Sequence, residues 1–266
     1  MKRKIEKAYF NELWHELTAS LEDFLKGGDQ EKLHKFRVQV KKLRALLTLI
    51  DVALSQKKLS KIFKPVRKIF KHGGLIREAY INIQLSSHYN LKNDEFIQDQ
   101  VNEMENAAAG FRENGKKYLK VIKTIHGELE GALEAIADEQ VNEFYKDQLE
   151  QIAATLGSNE FSDALHDCRK RIKTLIYNRK VAGKALEGNL DLNNDYLDKL
   201  QDQIGNWHDT ILAMQLFSSP HLDAKPVITR IKRQHTRLQK SISKLSSDFW
   251  KRATYVDKDL TNETRS

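Results

Sequence analysis

Two short motifs occur twice in this chain, in the same order and at nearly the same spacing. His34-Lys35-Phe36-Arg37 and His166-Asp167-Cys168-Arg169 are offset by 132 residues. In each copy a lysine, Lys41 or Lys173, follows seven positions after the histidine. Gly74-Leu75-Ile76-Arg77-Glu78 and Gly205-Asn206-Trp207-His208-Asp209 are offset by 131. Two separate motifs sharing an offset indicate an internal duplication. The first unit is expected at 1–131 and the second at 138–266, so whatever one half folds into, the other must fold into as well.

The breakers say what that unit is. Only 12 Gly and 3 Pro interrupt 266 residues, which favours long helices joined by short turns. No stretch alternates β-branched and polar residues in the manner of a strand. The expected fold is all-α: two tandem four-helix bundles, with helices at about 3–26, 30–54, 57–90 and 95–126, then 139–157, 160–187, 194–218 and 223–253. Gly27-Gly28-Asp29 should end the first helix and cap the second, and Leu156-Gly157-Ser158-Asn159 should do the same in the other half. Asn93-Asp94, Asn193-Asn194 and Ser218-Ser219-Pro220 mark further turns. Pro65 and Gly73-Gly74 are expected to break or kink the third helix. The polar tail after Tyr255 is expected to fray.

Chemistry enters on the second helix of each half. Leu33, Phe36, Val40, Leu43, Leu47 and Ile50 step by three and four and form one apolar face. His34, Arg37, Lys41 and Arg44 form a second stripe beside it. In the other half the apolar set is Leu165, Cys168, Ile172, Leu175 and Ile176, and the polar stripe is His166, Arg169, Lys173, Tyr177, Lys180 and Lys184. A row of like charges costs a few tenths of a kcal/mol for each i,i+4 pair. A merely solvated face would mix Glu with Lys, so the row reads as a surface kept for an anion. The fourth helices repeat the pattern, with Arg230, Arg233, Arg237, Lys240 and Lys244 in one half and Arg112, Lys116, Lys120 and Lys123 in the other. If second and fourth helices share an opening, four basic stripes meet there; otherwise the fourth helices carry solvated faces.

The charge balance agrees. Formal net charge is +8, while Glu128, Glu130, Glu134, Asp138, Glu139, Glu143, Asp147 and Glu150 crowd one short region with Lys146 as its only base. The positive charge is therefore concentrated elsewhere. One cysteine excludes an internal disulfide, and a reducing compartment fits. The opening MKRKIEKAYFNELWHEL has no apolar run before a cleavage site and does not read as a signal peptide. No stretch approaches the apolar length of a membrane span, so the expected address is the cytoplasm.

At His34 to Arg44 the pattern His-x-x-Arg-Val-x-x-Lys-Lys-x-Arg, which includes Lys42, resembles the signature of the CHAD domain, the conserved-histidine α-helical domain. His166-x-x-Arg169 with Lys173 and Tyr177 resembles its second copy, and Gly74-x-x-Arg77-Glu78 and Gly205-x-x-His208-Asp209 resemble the Gly-x-x-Arg-Asp and Gly-x-x-Asn-Asp elements that follow. The resemblance covers nearly the whole chain. It implies two four-helix bundles related by pseudo-two-fold symmetry and a basic central channel that binds inorganic polyphosphate. It further implies association with polyphosphate granules and their proteins. Such domains are often fused to a triphosphatase-type CYTH domain, but the nearest match to that enzyme's Glu-x-Glu-x-Lys, Glu103-Met104-Glu105-Asn106-Ala107, lacks the lysine. Thr174 and Ile176 stand where the second copy usually carries basic residues, Glu78 replaces the usual Asp and His208 the usual Asn.

The expected function is therefore non-enzymatic binding of polyphosphate, with no cofactor. No P-loop, nucleophile elbow, His-Glu-x-x-His or carboxylate cluster for Mg²⁺ is found. His34 and His166 have an arginine rather than a metal ligand at i+3, so no metal is read there. They could donate to phosphate, with binding expected to tighten toward pH 6, or serve in helix packing. Asp209 and Glu78 could steady basic neighbours or pair locally. Cys168, Trp14, Trp207 and Trp250 read as core or bundle-end residues. Two other classes remain in view. An RNA- or DNA-binding protein would use the same stripes, though no aromatics interleave with them, and a protein-interaction scaffold would use the acidic region.

Overall fold

The structure is a computed structural model that describes residues 3–254 apart from 159, 188–189, 219–221 and 223. Among the described residues there are eleven helices and no strand. They are α1 (Arg3–Gly27), α2 (Gln30–Ala53), α3 (Lys58–Ile62), α4 (Lys64–Tyr89), α5 (Asp94–Glu113) and α6 (Gly115–Ala132), then α7 (Asp138–Gly157), α8 (Asp163–Leu186), α9 (Asn194–Phe217), α10 (Lys225–Ser246) and α11 (Phe249–Ala253). The expected turns at Asn159, at Ser219-Pro220 and in the tail after Tyr255 lie outside the described residues.

The turn chemistry works largely as the residue types require. Gly28 takes φ +70, a conformation with little penalty for glycine. Asp29 then accepts a bond from the Glu31 backbone N–H at 2.8 Å and caps α2. Asn93 caps α5 through Phe96 N–H at 2.8 Å, and Asn193 caps α9 through Tyr196 N–H at 3.1 Å. Three expected helices are divided. Pro65 falls in the first turn of α4, so the break comes at Phe63 and leaves the short α3 before it. Asn114-Gly115 parts α5 from α6, and Asp248 at φ 55 parts α10 from α11. Gly73-Gly74 does not break its helix; α4 continues through it.

In the first half α1 pairs with α2, α2 with α4, and α6 closes against α1 and α4, with α5 laid along α4. In the second half α7, α8, α9 and α10 pack each against the next, and α10 returns to α7. The halves meet mainly where α2 crosses α8. One hydrophobic core runs through both, from Phe10, Phe24 and Phe36 to Ile172, Leu200 and Trp207. Polar bonds stitch the same seam. Asn178, fully buried on α8, donates to the Ala45 carbonyl of α2 at 3.0 Å, Tyr9 Oη to the Tyr177 carbonyl at 2.8 Å, and Gln140 to the Ala53 carbonyl at 2.7 Å. A smaller cluster of Tyr89, Leu91, Phe217 and Ile231 joins the ends of α4 and α9 to α10.

Trp14, Trp207 and Cys168 are buried as expected, whereas Trp250 is 41 % exposed at the chain's far end. Burial pushes the Cys168 thiol up to about 12, which leaves it an unreactive core group.

Asp51, buried at the end of α2, accepts from Leu59 N–H at 2.9 Å and Ser60 N–H at 2.8 Å and so anchors the first turn of α3. Replacing it leaves two amide donors without an acceptor. Asp51→Ala should lower the unfolding free energy by about 2 kcal/mol in denaturant melts.

Candidate anion-binding cleft

The α2–α8 crossing explains why both stripes reach one place. Each helix buries its apolar face in the shared core, so the stripe beside that face falls at the rim of the contact. A cleft of about 580 Å³ opens there. It is lined by Lys41 and Arg44 from α2 and by His166, Arg169, Lys173 and Tyr177 from α8, all expected site residues. Lys170 and Arg171 line it too. The one carboxylate in the lining, Asp167, is bonded to Lys170 at 2.8 Å. The missed pair was legible in the run Arg169-Lys170-Arg171, but a single-stripe reading discards neighbours that point off the line. The cleft is wide enough to reach α7, where Arg171 donates to Gln148 at 3.1 Å.

The two motif arginines are fixed in the same manner. Arg37 Nη1 donates to the Phe70 carbonyl of α4 at 2.6 Å, and the guanidinium lies over the Phe70 ring at 4.0 Å. Arg169 Nε donates to the Gln201 carbonyl of α9 at 2.9 Å. Each accepting carbonyl lies one turn before a motif glycine, and each guanidinium lies across that glycine. A Cβ on Gly74 would stand 3.2 Å from Arg37 Nη1, and one on Gly205 only 2.8 Å from Arg169 Nε and Nη2. The glycines are thus explained by close approach.

The second motif also meets the first in space. In the second half the rings of His166 and His208 stack with centroids 4.1 Å apart. In the first half the charge of Arg77, after burial, holds His34 below its ordinary value. Arg77 itself stacks on Tyr80 at 4.7 Å, and its Nη1 is buried without a protein acceptor among the described residues. Asp209, near Arg169 and His208, is raised mainly by burial, while Glu78 is exposed.

Lys41 shows how these charges add up. Its ammonium faces the cleft with Arg37, Lys173, Arg169 and Arg77 around it. Burial first, then those four charges, bring it down to about 8. Lys173 is lowered likewise, by burial and then Arg169. Its Nζ lies 5.2 Å over the Tyr177 ring.

The other expected site residues do not line the cleft: neither His34, Arg37, Arg77 and His208, which neighbour its lining side chains, nor Lys42, Arg112, Lys116, Lys120, Lys180, Arg230, Arg233 and Arg237. Lys180 turns to Glu12 of α1 in an exposed ion pair. Arg230 donates to the Tyr89 carbonyl at the end of α4. Arg112 lies against Gly28, and Lys120 borders a separate groove between α1 and α6. The fourth-helix charges sit apart because α10 packs on α9 and α7, and α6 on α1, α3, α4 and α5. No group of three or more His, Cys, Asp or Glu placed to hold a metal ion occurs among the described residues. No helix there is long and apolar enough to cross a membrane.

Titration checks the crowding. The Lys41 amine should titrate with a midpoint near 8, and Arg37→Gln should raise it. An unfolded chain keeps that proton to about 10.4. Between those two values the unfolded state binds more protons, so stability should climb with pH across this window. Site-resolved lysine NMR and pH-dependent melts measure the two effects.

Comparison with known proteins gives a concordant result. A family model described as the CHAD domain matches residues 8–218. The crystal structure of the CHAD domain from the plant Ricinus communis is similar in fold, with a TM-score of 0.68 at 15% sequence identity, over 96% of this chain and 93% of that one. No match is found among curated protein sequences.

Proposed function

The chain belongs to the CHAD domain family, and from that premise we propose that it binds inorganic polyphosphate, without chemistry, along the basic cleft between α2 and α8. The observation that carries this reading is the cluster around Lys41. Five cations, Lys41, Arg37, Arg77, Arg169 and Lys173, converge there, and burial together with the four neighbouring charges lowers the Lys41 ammonium to about 8. Such a site is costly when empty of counter-charge and is relieved by a ligand with closely spaced negative groups. Polyphosphate carries a charge on every phosphate. Stripe residues one helical turn apart are separated by roughly 5–6 Å, so one strand can touch several. Arg37 and Arg169, already held by backbone carbonyls, lose little freedom on gripping phosphate oxygens. On this reading the protein would accompany polyphosphate granules and their proteins in the cytoplasm.

The first test is binding to long-chain polyphosphate at two salt concentrations. Affinity should fall as salt rises, because counterions are released. Arg37→Glu and Arg169→Glu should each weaken binding by about tenfold or more. Equal-charge RNA should compete poorly; preference for RNA would instead indicate a nucleic-acid binder. A folded protein that ignores polyphosphate at low salt would falsify the reading. Gly205→Ala offers a finer test. Its Cβ displaces the Arg169 guanidinium, while alanine favours the helix. Affinity should drop while melting curves show that the protein remains folded.

The pH dependence follows from proton uptake. A bound anion favours charged Lys41, so affinity should decline as pH rises past 8, and Lys41→Arg should flatten that decline. His34 and His166 should add to binding as pH falls further. Burial first, and then Arg77 for His34 and His208 for His166, lower both below 6.5, so their contribution moves to more acid pH.

A further inference from the structure

Next to the cleft, and sharing Arg44 and Thr48 with it, lies a smaller pocket of about 180 Å³ between α2, α3 and the start of α4. Leu47, Ser60, Phe63 and Arg67 complete its lining. Leu47 and Phe63 are buried and give it apolar walls. Every polar side chain in it is a guanidinium or a hydroxyl. Arg44 is pulled below its ordinary value by burial and then by the charge of Arg67. Among the described residues, neither guanidinium has a carboxylate within ion-pair distance.

The pocket's two hydroxyls, like those of Ser20, Thr124 and Ser243 elsewhere, are not bonded back to their own helix. Helical Ser and Thr commonly bond back to the carbonyl one turn earlier. Thr18, Ser86, Thr155, Thr174, Thr229 and Thr236 all do so here. Thr48 and Ser60 make no such bond and have no protein partner for their hydroxyls among the described residues. Nor is the pocket loosely built. Asp51 uses both carboxylate oxygens on the Leu59 and Ser60 amides, which holds Ser60 in place and keeps that acid's oxygens occupied. The Arg67 backbone N–H bonds the Phe63 carbonyl at 3.3 Å and fixes the first turn of α4.

We propose that this pocket is a subsite for one phosphate group, gripped by Arg44 and Arg67 and receiving hydrogen bonds from the Thr48 and Ser60 hydroxyls. A tetrahedral oxyanion suits two guanidinium forks, and its charge cancels the repulsion between them. The subsite deepens the polyphosphate reading and rests on it in one respect. Because Arg44 belongs to both spaces, a chain lying in the cleft can set one phosphate here. The group could equally arrive as free orthophosphate.

The test is calorimetric binding of long-chain polyphosphate, tripolyphosphate and orthophosphate to the wild type and to Arg67→Ala, Ser60→Ala and Arg37→Glu. Melting curves are recorded for each protein. Arg67→Ala should weaken polyphosphate and tripolyphosphate by about tenfold, Ser60→Ala by about threefold, and Arg67→Lys should recover part of the loss. Orthophosphate binding that also depends on Arg67 would identify the free ion as a ligand; loss confined to the two polymers would identify a chain phosphate. Either result supports the subsite. A folded Arg67→Ala protein that matches the wild type toward all three probes overturns it, and if Arg37→Glu still abolishes polyphosphate binding the broader reading survives. Conversely, a wild type that ignores polyphosphate but holds orthophosphate through Arg67 keeps the subsite and loses the broader reading.

Discussion

The arrangement around the cleft depends on two guanidinium groups lying flat across two helices. Arg37 and Arg169 each reach from one helix to a carbonyl of the next, over a glycine that leaves room for them. That contact joins α2 to α4 and α8 to α9. It also brings the second motif of each half, Arg77 or His208, beside the histidine that opens the first. The charge sits against helix backbone, where long side chains would otherwise sweep through solvent, and this keeps both guanidiniums close to Lys41.

Concentration of charge has a cost, and the protein carries it in a small number of places. Lys41 and Lys173 are lowered by burial and by their neighbours, and Arg37 and Arg44 likewise by burial and then by a second arginine. Elsewhere the charges are spread or paired, as with Lys32 and Asp23 on the loop side of α1 and α2. Exposed pairs of that kind contribute little. The difference separates a working surface from ordinary solvation better than net charge does.

Much of this was legible in the sequence. The repeated motifs located Arg37, Arg169 and both glycines, and the three-and-four spacing placed both stripes at the margin of an apolar face. Gly73-Gly74 reads locally as a break or kink, whereas the role of Gly74 is relational: a close approach depends on what arrives from the neighbouring helix, and no local pattern records that. The same limit explains the fourth helices. Arg230, Arg233 and Arg237 form a regular row, yet only tertiary packing decides that α10 borders α9 and α7, away from the α2–α8 seam. Asn114-Gly115 was a readable turn signal, overlooked because the apolar periodicity carries across it. Arg67 follows Pro65 on a different helix from the stripe it serves, and nothing along the chain links it to Arg44.

The Phe70 and Gln201 carbonyls do the same job, but their side chains do not. In one half an aromatic ring supports the arginine; at the corresponding position of the other half an amide lies near Lys173 instead. The two sites therefore differ in the side chain at this position while sharing the backbone acceptor, which no substitution removes. A main-chain oxygen is a form of mutational insurance: the anchor for each arginine is encoded by the helix itself and survives the replacement of the residue that bears it.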